Sequence, residues 1–293
     1  IGKTIQNKND ILIINKELHL KMHVFGRYGI TMFAISGIDI ALWDLLGKAE
    51  NKSIADLLGG LKVNSLKAYA SLFLYDNAEA TSKVSLKAKN EGYEIIKLHE
   101  NKMDPIKSSR SAIGETALMV DVNCVWPEVY MEEIIGILKE ANLYWLEEPI
   151  WPPENYKGLS KLRKNGITIA SGENACTSYQ FEEMINNEAA DILQPSVTKV
   201  GGISEIIKIA LLKKNNYRVV PHSPYFGPGF MATLQVIGAL TPDSEIERLY
   251  VDLKADLYDG ISNIDSKGNI SIPNGPGLGM EPNLEIIEKY SIK

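Results

Sequence analysis

Eight apolar runs, each too short for a helix, recur through residues 66–250: Leu66–Ser71, Ile95–His99, Ala117–Asn123, Leu143–Glu148, Ile167–Gly172, Asp191–Pro195, Arg218–His222 and Ile246–Tyr250. Most intervals between them carry a helical pattern, as at Val129–Ala141 and Ile203–Lys213. Strands alternating with helices imply a parallel sheet with crossover helices. Eight strands in this length point to a (β/α)-barrel. A doubly wound open sheet is the alternative. It would carry a Gly-rich phosphate turn after its first strand, and Ala70-Ser71-Leu72-Phe73 is not one.

Before the first run, Ile35, Ile38, Ala41, Leu42 and Leu45 fall at helical spacing, so Ala34–Leu46 reads as a well-buried helix. A short helix is expected at Ser53–Leu58, capped by Ser53 and ended by Gly59-Gly60. From Leu253 onward Gly, Asn and Pro accumulate, and Asn274–Gly279 (NGPGLG) reads as turns packed outside the barrel. With 293 residues, 45% of them apolar, the chain has ample material for a core. A net charge of -6 without a basic run argues against nucleic acid as a partner. The most apolar window, Met32–Leu46, is interrupted by Asp39 and Asp44, so no membrane span is expected. Cys124 and Cys176 make no disulfide framework, and a cytoplasmic location is the expectation. The first residue is Ile1 rather than Met, so a preceding segment is expected.

Three of the runs end in a carboxylate: Asp121 in MVDVN, Glu147 in WLEEP and Glu173 in SGEN, each 26 residues from the next. One β/α unit is about that long, so the three sit at one height on successive strands and face a common point. Unpaired they would repel; a hard divalent cation relieves this, and all-oxygen ligands favour Mg²⁺ over Zn²⁺. Lys97 and His99 close the second run and, two residues apart, point the same way. His222 closes the seventh and Glu247 lies on the eighth.

Taken together these residues resemble the enolase superfamily, in its mandelate racemase and muconate lactonizing enzyme branch. The likeness rests on AISGIDIALWDLLGKAENKSIADLLGG (Ala34–Gly60), on DVN (Asp121–Asn123) followed by EEP (Glu147–Pro149), and on GEN (Gly172–Asn174), KVGG (Lys199–Gly202) and PGLG (Pro276–Gly279). It implies a modified TIM barrel, (β/α)₇β, beneath a capping domain. Residues 1–62 would be the helical part of that cap without its sheet, 63–252 the barrel, and 253–293 a segment packing back on the cap. It implies that Asp121, Glu147 and Glu173 bind one Mg²⁺, which a small-molecule carboxylate substrate bridges, and that Lys97 stabilises the enediolate left when the α-proton is lost. Glu247 would donate a hydrogen bond to the substrate carboxylate, which requires it protonated. A homo-oligomer is expected by analogy.

Two positions depart from the family pattern. The second-strand motif is Lys97-Leu98-His99 where Lys-x-Lys is usual, which puts an imidazole in the base position; the alternative is that His99 only hydrogen-bonds substrate. On the sixth strand stands Ser196, where racemase-like members carry Asp and lactonizing members Lys. His222 thereby loses its expected anion and is left as a general acid bonded to Ser196 or water. One base and one acid fit a dehydratase that converts a hydroxylated, sugar-type acid to a 2-keto-3-deoxy acid. Asn123, Asn174, Ser196 and Ser223 are the expected substrate-binding polar groups, unless they cap strand ends. Trp145, Trp151, Tyr225 and Phe226 would frame an apolar wall or belong to the core. Other readings are a racemase or epimerase using His99 and His222 on opposite faces, a dehydratase of a hydroxyproline-type acid, and a catalytically impaired binding barrel.

Overall fold

The computed structural model of the chain describes residues 2–212 and 217–292. Two helices come first, α1 (Lys8–Met22) and α2 (Gly29–Glu50), then a single turn, α3 (Ile54–Leu57). Seven β/α units follow: β1 (Ser65–Ser71) with α4 (Ala78–Asn90), β2 (Ile95–Leu98) with α5 (Met103–Ile113), β3 (Ala117–Asp121) with α6 (Glu128–Glu140), and β4 (Trp145–Glu147) with α7 (Tyr156–Lys164). The last three are β5 (Ile169–Ser171) with α8 (Ser178–Asn186), β6 (Ile192–Leu193) with α9 (Ile203–Leu211), and β7 (Arg218–Val219) with α10 (Pro228–Leu240). β8 (Ile246–Leu249) has no such helix after it; β9 (Asn269–Ser271) and α11 (Leu284–Tyr290) end the described chain. This is the (β/α)₇β order. Lys213, the expected end of the helix containing α9, lies outside the described residues.

The eight parallel strands pair in the order β7-β6-β5-β4-β3-β2-β1-β8, and β9 runs antiparallel to the start of β1. Among the described residues, side chains rather than a ladder bridge β7 and β8: Arg218 pairs with Glu245 at 2.6 Å, and the Ser244 hydroxyl donates to the Val219 carbonyl. Observed strands are shorter than the apolar runs. Beyond the paired residues the backbone turns through positive φ at Asn123, Cys124, Glu148 and Gly172, which ends the ladder and redirects side chains into the barrel mouth.

Ser53 caps α3 as expected, in a capping box with Asp56. The buried face of α2 differs from the expectation. Ile38 and Leu45 are 45% and 57% exposed, whereas Met32, Ile35, Ser36, Asp39, Ile40 and Trp43 are buried. The reason is hydrogen bonding rather than hydropathy. Ser36 Oγ accepts from the Gly201 amide at 2.9 Å, and Asp39 Oδ2 accepts from the Ser204 amide at the start of α9, also at 2.9 Å. Asn15 of α1 donates to Asp39 Oδ1 and to the Gly201 carbonyl, both at 2.9 Å. Gly202, with φ near 86°, lets α9 approach: a Cβ there would stand 2.4 Å from Asp39 Oδ2. Contrary to the expectation from its two Asp residues, α2 is long and apolar enough to cross a membrane by length and composition. In this fold its polar face is instead docked on the barrel. The C-terminal segment closes on the same helices, through Leu278 N–H to Asp44 (2.8 Å), Ile54 N–H to the Gly277 carbonyl (2.8 Å) and Lys48 to Glu281 (3.0 Å).

Burial pushes Asp39 up to about 6, although Ser204, Asn15 and Ile203 all donate to it. The folded chain thus holds this proton more tightly than the unfolded one. Ionised Asp39 costs stability above pH 6, and that cost vanishes as pH falls towards 4. A difference of this size is worth roughly 3 kcal/mol at most. Urea unfolding of the wild type should gain stability relative to Asp39→Asn as pH is lowered from about 8 to about 4; parallel pH profiles would contradict this.

Candidate active site

Tyr69, Ile95, Met119, Trp145, Ala170, Ile192 and Val220 form one apolar cluster, with one residue from each of the first seven strands or its immediate end. Strand side chains repeat with period two, so the residues two positions on share the same inward direction. These are Ser71, Lys97, Asp121, Glu147, Gly172, Gln194 and His222. A dry apolar layer therefore carries a polar layer directly above it, at the C-terminal ends of the strands.

Lys97 is fully buried at its centre. Its Nζ lies 2.8 Å from Glu247 Oε1, 2.9 Å from Glu147 Oε1 and 3.5 Å from Asp121 Oδ2. Burial opposes its charge, but the carboxylates of Glu147 and Glu247 outweigh it and hold the ammonium well above its usual value. Burial alone would raise Glu147, and it does, to about 7. Trp145, from the layer beneath, donates to Glu147 Oε2 at 2.9 Å.

Asp121, Glu147 and Glu173 each offer an oxygen, all within 4.8 Å of one another. Asp121 Oδ2 is buried and accepts no hydrogen bond, although Lys97 and His99 are its ionic neighbours. A cluster of three hard oxygens with an orphaned lone pair fits a divalent cation.

His99 stands just past β2. Its Nδ1 bonds the Leu72 carbonyl and its Nε2 lies 3.2 Å from Asp121 Oδ2. A carbonyl only accepts, so Nδ1 carries a proton and Nε2 is the nitrogen free to exchange one. Burial works against its charge, yet Asp121 raises its pKa overall.

Two electrostatic expectations need correction. Glu247 is not kept protonated: its partners are the Lys97 ammonium, the Ser71 hydroxyl (2.8 Å) and the Ser223 amide (2.9 Å), all donors. Against burial, Lys97 and His222 hold its pKa low. Nor is His222 without an anion. Glu173 Oε2 lies 2.8 Å from its Nε2 and, against burial, raises its pKa. Glu173 is correspondingly pulled low, with His222 and Lys199 (3.5 Å) outweighing its burial.

The expected substrate-binding groups are dispersed. Asn123 is exposed, and its backbone amide donates to Asp121 Oδ1 at 2.9 Å. The Asn174 amide group is committed to Glu148 Oε2 at 2.5 Å. Ser223 Oγ is buried with no hydrogen-bond partner among the described residues. Ser196 is bonded to Tyr225 OH (2.5 Å) and not to His222. Trp145 belongs to the barrel floor, and Trp151 is 67% exposed. Phe226 lies under the Arg248 guanidinium.

The strand-end motifs did not single out Glu148, Lys199 or Gln194. Glu148 is buried and receives Cys124 Sγ (2.7 Å), Asn174 Nδ2, Ser171 Oγ (3.2 Å) and Gly172 N–H (3.2 Å). It pins the β5 loop that carries Glu173. The signal was the doubled Glu of EEP: on a strand one points inward and its neighbour outward. Gln194 was findable by counting two residues beyond the apolar layer. It is fully buried beside Glu147, and neither amide atom makes a well-formed hydrogen bond among the described residues.

Comparison with known proteins identifies a family. Residues 80–286 match the family described as enolase C-terminal domain-like, and residues 1–59 match the mandelate racemase / muconate lactonizing enzyme N-terminal domain. D-galactarolactone cycloisomerase of Agrobacterium fabrum is 33% identical over 291 residues, spanning 90% of this chain and 75% of that protein. Arabinonate dehydratase of Saccharolobus solfataricus is 32% identical over 283 residues, spanning 92% and 75%. The crystal structure of the 3,6-anhydro-D-galactonate cycloisomerase from Zobellia galactanivorans superposes with a TM-score of 0.85 at 29% identity, covering 96% of this chain and 82% of that one. The chain is an enzyme of the enolase superfamily and belongs to its mandelate racemase and muconate lactonizing enzyme family.

Replacing Glu148 by Ala strands four donors at once. It should cost roughly 3 kcal/mol in urea unfolding, where Glu154→Ala on the α7 approach serves as the control.

Proposed function

We propose that this enzyme removes the α-proton of a hydroxylated, sugar-type acid and expels the 3-hydroxyl as water, leaving a 2-keto-3-deoxy acid. The observation that carries the reading is His99: its Nδ1 is tied to the Leu72 carbonyl while Nε2 faces the carboxylate cluster beside Lys97. The named relatives support the substrate class, since one is a sugar-acid dehydratase and two are sugar-acid cycloisomerases.

Asp121, Glu147 and Glu173 would hold Mg²⁺, which when bound supplies positive charge against the dianionic enediolate. The chain does the rest. His99 Nε2 takes the α-proton, and its Nδ1–H stays on Leu72 so that the ring keeps one orientation. Lys97, pinned beneath by Glu147 and Glu247, adds a fixed positive charge under the reacting carboxylate. His222 gives a proton to the departing hydroxyl. The α-C–H and C3–O bonds break and water leaves; the resulting enol takes at C3 the proton held on His99 and gives its O–H proton back to His222 as it becomes the ketone.

The test is proton NMR in D₂O with Mg²⁺ and a panel of aldonic and aldaric acids, aldarolactones and hydroxyproline acids. A keto-deoxy product whose formation stops with EDTA is the expected result. Deuterium entering the α-position without product would favour an epimerase, and a lactone consumed without net loss of water would favour a cycloisomerase. His99→Asn should abolish proton abstraction and leave Mg²⁺ binding by calorimetry intact; full turnover in that variant would remove His99 as the base. Glu147→Gln should lose Mg²⁺ binding and turnover together.

A further inference from the structure

We infer that Tyr225 is the positioning residue of His222, joined to Ser196 in a hydroxyl relay that stands behind the imidazole on the side away from the carboxylate cluster. The inference rests on the role given above to His222. Tyr225 OH lies 3.4 Å from His222 Nδ1 and 2.5 Å from Ser196 Oγ, and Ser196 Oγ lies 3.2 Å from Thr198 Oγ1. The two rings meet edge-on, with centroids 5.8 Å apart and planes at 84°. Ser196 is fully buried. Among the described residues no other polar group bonds Nδ1, so Tyr225 is what keeps Nε2 turned to the cluster, 2.8 Å from Glu173.

The chemistry of a hydroxyl differs from that of a carboxylate behind a histidine. A carboxylate only accepts, which forces a proton onto Nδ1. A hydroxyl donates and accepts. Tyr225 can accept from a protonated Nδ1 while donating to Ser196, or donate to a bare Nδ1 while accepting from Ser196; Thr198 absorbs the reversal at the far end. The contact with Tyr225 therefore holds the ring in place in either tautomer.

The experiment is ¹⁵N NMR of histidine-labelled protein with Mg²⁺ added. The chain has four histidines, and His222→Gln assigns the fourth ring. Tyr225→Phe should shift the His222 Nδ1 resonance and leave the His99 signals unmoved. Ser196→Ala should shift it in the same direction by less, and it stands in if Tyr225→Phe fails to fold. On an acid identified by the deuterium screen, Tyr225→Phe should lower kcat about tenfold with KM within about twofold. An unchanged His222 Nδ1 signal in a folded variant overturns the inference. The ring signals are read without turnover, so a panel in which no acid reacts would defeat the proposed reaction and still leave this question decided.

Discussion

Lys97 is fully buried, and the rest of the site follows from that. A fully buried ammonium is tolerated only where anions surround it. Glu147, Glu247 and Asp121 lie between 2.8 and 3.5 Å away, and they are as costly without Lys97 as it is without them. Glu173 adds a fourth carboxylate at the rim, beside Lys199. Four carboxyl groups, Glu147 among them with its pKa pushed up by burial, face two ammonium groups, so acid is in excess. Here the two imidazoles lean on them, His99 on Asp121 and His222 on Glu173. A hard divalent cation would answer that excess, which is why the cluster reads as a candidate metal centre rather than as surplus acid.

The barrel makes this concentration of charge possible by stacking it on a layer that contains almost none. Tyr69, Met119, Trp145, Ile192 and their neighbours close the floor, so the polar layer has water on one side only. Short strands help. Where a longer ladder would keep side chains alternating in and out, positive φ at Asn123, Glu148 and Gly172 breaks the alternation, and Glu173 enters from a loop rather than a strand. Such backbone is strained for Asn and Glu. The bonds that hold it, Asn123 N–H to Asp121 and four donors on Glu148, run beside the carboxylates proposed to hold the metal.

Much of this was legible in the sequence because it is periodic. Equal 26-residue steps between Asp121, Glu147 and Glu173 report a repeated β/α unit, and the strand period of two places Lys97 above Ile95. Groups that depend on loop geometry were not legible. The Glu173–His222 contact joins residues 49 apart, both beyond the ends of their strands, and no pattern in the chain announces it. The buried face of α2 was misread for a related reason. That helix is apolar on nearly every side, so hydropathy could not choose a face; Ser36 and Asp39 chose it by meeting the backbone donors at the start of α9.

Ser196 shows how one substitution is absorbed by its surroundings rather than by its direct successor. Read along the chain, loss of an acid just beyond β6 leaves His222 bare. In three dimensions Tyr225 stands between Ser196 and His222, and Glu173 takes up the opposite nitrogen. The two nitrogens thus meet partners of different kinds: a hydroxyl that is indifferent to the direction of the proton, and a carboxylate that welcomes it. His99 is held the other way, with its outer nitrogen fixed by a carbonyl that tolerates only N–H. One imidazole is locked into a single tautomer and the other is left reversible. That asymmetry fits the proposed division of roles, with His99 presenting a lone pair as base and His222 giving up a proton as acid.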